Sequence, residues 1–167
     1  MKQKKVFLMC GPSGSGKTTW VKKQIEGAQF PTAHISRDVI RFSMLKEGED
    51  YFAHEDEVIK EFYHQAQEAI DGEPQAIFID ATHLSEKARN STLDALNLEN
   101  CELYAVDFQV PVEICLQQNA GRTGRAKVPS SVIRRMYYSY QAPKAEGEAY
   151  KYTILTVGMR EEEEHAE

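Results

Sequence analysis

The apolar positions fall into short dense blocks separated by longer stretches with helical spacing. Val6-Phe-Leu-Met-Cys10 is an apolar run that stops at glycines, the pattern of a parallel strand covered on both faces. A helix should follow from Lys17 to about Glu26. Ala33-His-Ile-Ser36 reads as a weaker second strand, and Val39 to Leu45 as a short helix. From His54 to Ile70, the residues Val58, Phe62, Ala66 and Ala69/Ile70 recur at helical spacing. Ala76-Ile-Phe-Ile79 is a third strand, closed by Asp80. Ser85 suits the cap of a helix running to Leu96. Leu103-Tyr-Ala-Val-Asp-Phe108 is a fourth strand. Pro111 and Pro129 each suit a first helical position, for helices to about Asn119 and Tyr140. Tyr152-Thr-Ile-Leu-Thr-Val157 is the last strand. Strands alternating with helices predict an α/β fold: a five-stranded, mostly parallel sheet with helices on both faces.

The chain has 167 residues, of which 41% are apolar and 28% charged. That predicts one core without a need for disulfides or structural metal, and rules out a mainly disordered chain. No apolar stretch reaches the roughly 18 residues a membrane span requires. Met1-Lys-Gln-Lys-Lys5 is basic, but too few apolar residues follow before Gly11 for a signal peptide. Cys10, Cys101 and Cys115 have no metal-ligand or redox-motif spacing, so reduced, buried cysteines of a cytoplasmic protein are expected.

Formal net charge is −6, with 20 Lys and Arg against 26 Asp and Glu. Five of those acids lie in residues 161–167, expected to be a disordered acidic tail beyond a domain of residues 1–160. Without the tail the balance is 20 − 21 = −1, so net charge does not disfavour a nucleic-acid partner. Residues 114–145 hold no acid and six bases: Arg122, Arg125, Lys127, Arg134, Arg135 and Lys144.

Gly11-Pro-Ser-Gly-Ser-Gly-Lys-Thr18 fits the Walker A pattern GxxxxGK(S/T), after a strand and at the start of a helix. A chance match in a chain this long is on the order of 1%. Glycines let successive backbone N–H groups converge on phosphate, and the helix start adds its positive end. The residues expected to hold ATP are Gly11, Ser13, Gly14, Ser15, Gly16, Lys17, Thr18 and Thr19. Lys17 should reach the β- and γ-phosphates, and Thr18 should coordinate Mg2+. Asp80 closes an apolar strand at the edge where α/β sheets bind ligands, which makes it the second candidate for Mg2+.

A GTPase would carry an NKxD motif, and none is present. An AAA-type motor would need a further helical domain, for which the chain looks too short. Phosphotransferases remain. They need a carboxylate for the acceptor hydroxyl, cations for the moving phosphoryl, and a substrate anchor. Ser36-Arg-Asp-Val-Ile-Arg41 follows the second strand. If a helix begins near Asp38, then Asp38 and Arg41 share a face at i and i+3. The alternative is an N-cap Asp38 with a surface arginine. Asn119-Ala-Gly-Arg-Thr-Gly-Arg-Ala-Lys-Val-Pro129 joins two helices with two glycines and three bases, and is expected to form a basic lid from which Arg122 acts on the phosphoryl.

Together the glycine motif through Trp20, Ser36-Arg-Asp-Val-Ile-Arg41, Asp80-Ala-Thr-His-Leu84 and residues 122–129 resemble the kinase domain of polynucleotide 5′-hydroxyl kinases. These belong to phage and bacterial end-healing enzymes, in the wider zeta-toxin-like group of P-loop kinases. The resemblance spans Lys5 to about Val157. It implies a P-loop kinase fold and ATP- and Mg2+-dependent transfer to the 5′-hydroxyl of DNA or RNA. It implies Asp38 as general base, Arg41 holding the terminal phosphodiester with help from Thr82, and Arg122 on the ATP phosphates with Arg125 as second candidate. The chain departs from the phage form in two places: Ala81 stands where an acid precedes the threonine, and the lid is a residue longer. No DxDGT phosphatase motif is present.

His83 is a further candidate substrate contact, with simple exposure as its alternative. Tyr137, Tyr138 and Tyr140 beside Arg134 and Arg135 could stack on bases or serve as half-buried packing. Phe42, Tyr51 and Phe52 could wall the acceptor pocket or simply belong to the core. Catalysis is therefore assigned to Lys17, Asp38 and Arg122. No membrane or obligate protein partner is expected. Two other functions stay open: a kinase for a sugar, nucleoside or antibiotic hydroxyl, and an ATP-hydrolysing switch.

Overall fold

The computed structural model describes residues 3–124 and 127–158. Arg125 and the acidic tail lie outside the described residues. Five strands form one sheet: β1 (Lys4–Cys10), β2 (Thr32–Ser36), β3 (Ala76–Asp80), β4 (Cys101–Gln109) and β5 (Thr153–Gly158). Their order is β2-β3-β1-β4-β5, and every pairing is parallel. Six helices accompany them: α1 (Lys17–Gly27), α2 (Arg37–Met44), α3 (Glu55–Asp71), α4 (Glu86–Asp94), α5 (Val112–Ala120) and α6 (Ser130–Ser139).

Alternation along the central strand explains the layering. Val6, Leu8 and Cys10 face a core filled by Ile40 of α2, by Val58, Phe62, Ala66 and Ile70 of α3, and by Leu93 of α4. Met9 faces the opposite core, with Val21 of α1, Phe78, Val106, Phe108, Cys115 of α5 and Ile133 of α6. The helix spacing read from Val58 to Ile70 is thus the buried stripe of α3. Trp20 closes the second core, meeting Phe78 and Phe108 edge-on at 6.1 Å.

The prolines sit one residue earlier than expected. Pro111 and Pro129 cap α5 and α6 from extended backbone, ψ 148° and 140°, and their carbonyls accept the first helical bonds. Ser85 caps α4 as expected, accepting from the Ala88 N–H at 3.1 Å. Cys10 and Cys115 are buried, while Cys101 is half-buried; all three are free. Among the described residues no helix is long and apolar enough to cross a membrane.

The topology fixes where a ligand can sit. Between β3 and β4 the central β1 ends at the glycine loop, and connections leave this point toward both sides of the sheet. Register places Ser36 beside Asp80 at neighbouring strand ends. Segments distant in sequence therefore open onto one crevice.

Candidate active site

A cavity of about 210 Å3 lies at this edge. Its walls are Ser13, Lys17 and Thr18 of the glycine loop, Ser36, Arg37, Asp38 and Arg41 of the β2–α2 junction, and Tyr51, Phe52 and Glu55 ahead of and within α3. Asp80, Ala81 and Thr82 after β3, with Arg122 and Met136 from the lid side, complete it.

The donor end is mainly backbone. Gly14 has φ +83°, and a Cβ there would come within 2.4 Å of the Cys115 carbonyl oxygen. Gly16, φ +92°, starts α1 without a side-chain cap, so the helix's first N–H groups are left for a ligand. The Ser15 hydroxyl is buried and has no partner. Lys17 folds back to donate to the Pro12 carbonyl at 2.7 Å. Burial lowers its pKa from 10.5 to about 8, against the pull of Asp80 and Asp38. The Thr18 hydroxyl donates to Asp80 Oδ2 at 2.8 Å, and His34 Nε2 lies 2.8 Å from the same oxygen. Burial pushes the Asp80 carboxyl up, but the His34 bond, the Lys17 charge and the Thr18 bond outweigh it, so its pKa lies below the usual value. An orphaned hydroxyl, free helix N–H groups and a buried ammonium fit a triphosphate. A threonine hydroxyl and an ionised carboxylate fit Mg2+, which takes few protein ligands and completes its shell with phosphate and water. Accordingly, among the described residues no group of three or more His, Cys, Asp or Glu could hold a metal.

The acceptor end is built from side chains. Ser36 caps α2, its hydroxyl accepting from the Val39 N–H at 3.2 Å. The alternative of an Asp38 cap with a surface Arg41 does not hold, since Ser36 is the cap and Arg41 is only 4% exposed. Asp38 and Arg41 do meet at i and i+3, Arg41 Nη1 donating to Asp38 Oδ1 at 2.9 Å. Arg41 Nη2 donates to both Glu55 oxygens at 2.8 Å, Nε to Oε2 at 3.3 Å, and Nη1 also to the Tyr51 hydroxyl at 2.7 Å. The Tyr51 hydroxyl in turn donates to Asp38 Oδ1 at 3.0 Å. Burial works against the Arg41 charge, but the Glu55 bonds more than restore it. Arg41 thus spends its N–H groups inside the protein, which leaves no free donor for the phosphodiester it was expected to hold.

The other expected residues divide. Thr82 lines the cavity, and its carbonyl accepts from the Gly11 N–H at 2.8 Å, tying the post-β3 loop to the glycine loop. Thr19 is exposed and outside the cavity walls. His83 is not a substrate contact: it is 3% exposed, with Nδ1 at 2.7 Å from the Met9 carbonyl oxygen and Nε2 at 3.0 Å from the Thr92 hydroxyl. Burial lowers its pKa to about 4, so it stays neutral. Tyr140 also serves packing, donating to Asp107 at 2.6 Å. Tyr138 is exposed, and Phe52 is exposed at the cavity wall.

Sequence reasoning missed Glu55 and His34 as partners. No motif or spacing in the sequence links Glu55 to Arg41, and only the buried arginine reveals why Glu55 is there. It also missed Arg89, 1% exposed, which donates to the His83 and Gln141 carbonyls and pairs with Glu148, holding the loop after β3.

Fold and site define a P-loop kinase-like domain. The chain belongs to the AAA domain family, whose sequence model matches residues 6–143. The solved structures it is similar to include several kinases. One is the RNA repair complex Pnkp1/Rnl/Hen1, with a TM-score of 0.70 at 20% identity over 83% of this chain and 44% of that one. Another is the APS kinase CysC of Mycobacterium tuberculosis, in complex with AMPPNP and APS, with a TM-score of 0.61 at 16% identity over 99% and 96% of the two chains. In sequence the chain is 24% identical to the Arabidopsis thaliana protein "Transcription factor bHLH140" over 144 residues, 83% of this chain. It spans only 14% of that relative's length.

Proposed function

We propose that the domain phosphorylates the 5′-hydroxyl end of DNA or RNA, using ATP and Mg2+. The observation that carries this reading is the shared cavity: Lys17 and Thr18 on one wall, and the Asp38 carboxylate on another. ATP with Mg2+, when bound, supplies the phosphoryl group and neutralises part of its charge. Gly14, Gly16 and Ser15 shape the phosphate seat, with Gly11 and Ser13 ahead of them. Thr18 and Asp80 hold the metal. Lys17 exchanges the Pro12 carbonyl for phosphate oxygens. Arg122 adds a guanidinium from the lid, with Arg125 as the alternative. Asp38 accepts the proton of the acceptor hydroxyl through the oxygen that Arg41 and Tyr51 leave open, and Thr82 contacts the acceptor. The protein in the RNA repair complex supports a polynucleotide acceptor by likeness of fold. Three free cysteines support a cytoplasmic setting.

A small-molecule acceptor is the second reading, favoured by the modest cavity and by the fold shared with a kinase solved with APS. Incubation with γ-labelled ATP, a 5′-hydroxyl oligonucleotide and a metabolite pool separates the two. Label on the oligonucleotide is the expected result. Label only on a metabolite overturns the polynucleotide reading, and label only in free phosphate points to a nucleotide switch.

A further inference from the structure

The cations round the cavity are unequally matched. Lys17 has the Pro12 carbonyl, and Arg41 has Glu55, Asp38 and Tyr51. Arg37 lines the same cavity yet makes no hydrogen bond through its side chain among the described residues, and its Nε is buried without an acceptor. Its guanidinium lies 4.6 Å from the centre of the Phe62 ring, and Phe62 is fully buried. The ring satisfies the face of the cation, not the N–H groups along its edge. A buried donor such as this Nε is rarely left unpaired unless a ligand or water completes it.

Arg122 is the other cation here without a hydrogen bond from its side chain among the described residues. Its charge is felt by Lys17 and Cys115, so it belongs to the donor end. Arg37 instead feels Tyr63, Glu55, Arg41 and Asp38. Neighbouring residues on a helix point about 100° apart. Asp38, whose side chain is 59% exposed, and Arg37, whose Nε is buried, therefore line the cavity from different directions.

We infer that Arg37 is the anion-binding residue of the acceptor end, taking a phosphate-like group next to the hydroxyl that Asp38 addresses. Arg41 then acts as a positioning residue that holds Asp38 and Tyr51. A planar guanidinium whose edge is free suits two oxygens of a phosphodiester or phosphate monoester. The assignment rests on the acceptor reading above, but extends to any acceptor that carries an anion beside its hydroxyl.

The test keeps the two apart. Thymidine is compared with thymidine 3′-monophosphate, and glycerol with glycerol 3-phosphate, as acceptors from γ-labelled ATP. Separately, with the glycine loop filled by a non-hydrolysable ATP analogue, inorganic sulfate is titrated into the parent, R37Q and R37K by calorimetry. One sulfate should bind the parent, about tenfold or more weaker in R37Q and intermediate in R37K, with analogue affinity within about threefold. KM for the anionic acceptor should rise about tenfold or more in R37Q, with KM for ATP kept. Should R37Q lose its fold, R37K carries the comparison, because it keeps the charge and loses the fork. If only the glycerol pair is labelled, with the same dependence on Arg37, the polynucleotide reading fails and the Arg37 assignment stands. No sulfate binding in the parent, undiminished binding in both variants, or an anionic preference that survives them overturns the assignment whichever acceptor is used.

Discussion

The two ends of the cavity are made of different material. At the donor end the ligand-facing groups are N–H groups of a glycine turn and a helix start, and one buried ammonium held by a carbonyl. At the acceptor end they are side chains from two helices and the loop between them, locked into a closed set of Asp38, Arg41, Tyr51 and Glu55. The donor end carries charge it has not matched, and is complete only with a polyanion in place. The acceptor end has matched nearly all of its charge internally, and Arg37 is the exception. A site that grips one substrate by backbone can hold the phosphates common to every nucleotide. A site that reads the other by side chains can change its acceptor by small substitutions while keeping the fold, which agrees with a shared architecture among kinases of different substrates.

The sharpest way to break this contrast is Asp38→Ala. Transfer should fall by about 10²–10⁴, the usual worth of a general base, while ATP affinity stays near that of the parent. Single-turnover transfer and equilibrium nucleotide binding, measured side by side, check it. Near-parental transfer would remove Asp38 from the chemistry. Loss of ATP binding would show that the two ends are one unit.

The next effect belongs to the donor end alone. Lys17 has a folded pKa of about 8 against 10.5 for a free lysine, with burial as the cause. Between those values the unfolded chain holds a proton that the folded one lacks. The stability contributed by this group therefore rises with pH from about 8 to 10.5, by up to about 3 kcal/mol, and the burial cost is felt in full below that window. Cys10, pushed up to about 12 by burial, works in the opposite sense, so the parent is to be compared with Lys17→Met across the range. Denaturant melts of the ligand-free proteins should converge as pH rises. A constant gap between them would mean that Lys17 is not desolvated. Arg41 offers no such window, since its charge is held by Glu55.

Gly14→Ala should do less to stability and more to nucleotide binding. The added methyl meets the Cys115 carbonyl at 2.4 Å in a backbone with φ +83°, so the turn must shift. Strain of about 1–3 kcal/mol, felt when the turn takes its ligand-binding path, should weaken ATP affinity by about fivefold to 150-fold. If parental affinity persists, the cradle tolerates a different backbone path than the one seen.

The same contrast explains what could be read from the chain itself. The donor end was legible because its chemistry is consecutive: a strand, glycines, Lys17 and Thr18 occupy thirteen positions in a row, and backbone geometry follows from residue type. Even Asp80 was placed by the rule that strand ends meet ligands. The acceptor end was only half legible. Spacing brought Asp38 to Arg41, but Glu55 stands fourteen residues beyond Arg41 and looks like any solvent-facing acid. Nothing short of the α2–α3 packing shows that it captures the guanidinium. Arg37 was passed over because its neighbour Asp38 carried the pattern. His83 misled for the converse reason: a histidine in a loop gives no sign that both nitrogens will be occupied by Met9 and Thr92.

The smallest effect concerns Tyr51, which joins the acceptor set without touching the donor end. Its hydroxyl accepts from Arg41 and donates to Asp38 Oδ1, and burial together with the Asp38 charge pushes its pKa up to about 12, so it remains a donor throughout the working range. One bond of this kind is worth on the order of 1 kcal/mol. Tyr51→Phe keeps the ring against Phe42 and Phe52 and removes only the hydroxyl. kcat should therefore fall about fivefold, with KM for ATP unchanged. The double variant with Asp38→Ala should be no worse than Asp38→Ala alone, because the hydroxyl acts only through the carboxylate it orients. An additive loss in the double variant would give Tyr51 a contact of its own with the acceptor. A matching loss of ATP affinity would mean that the acceptor set reaches the phosphates, and the division between the two ends would have to be given up.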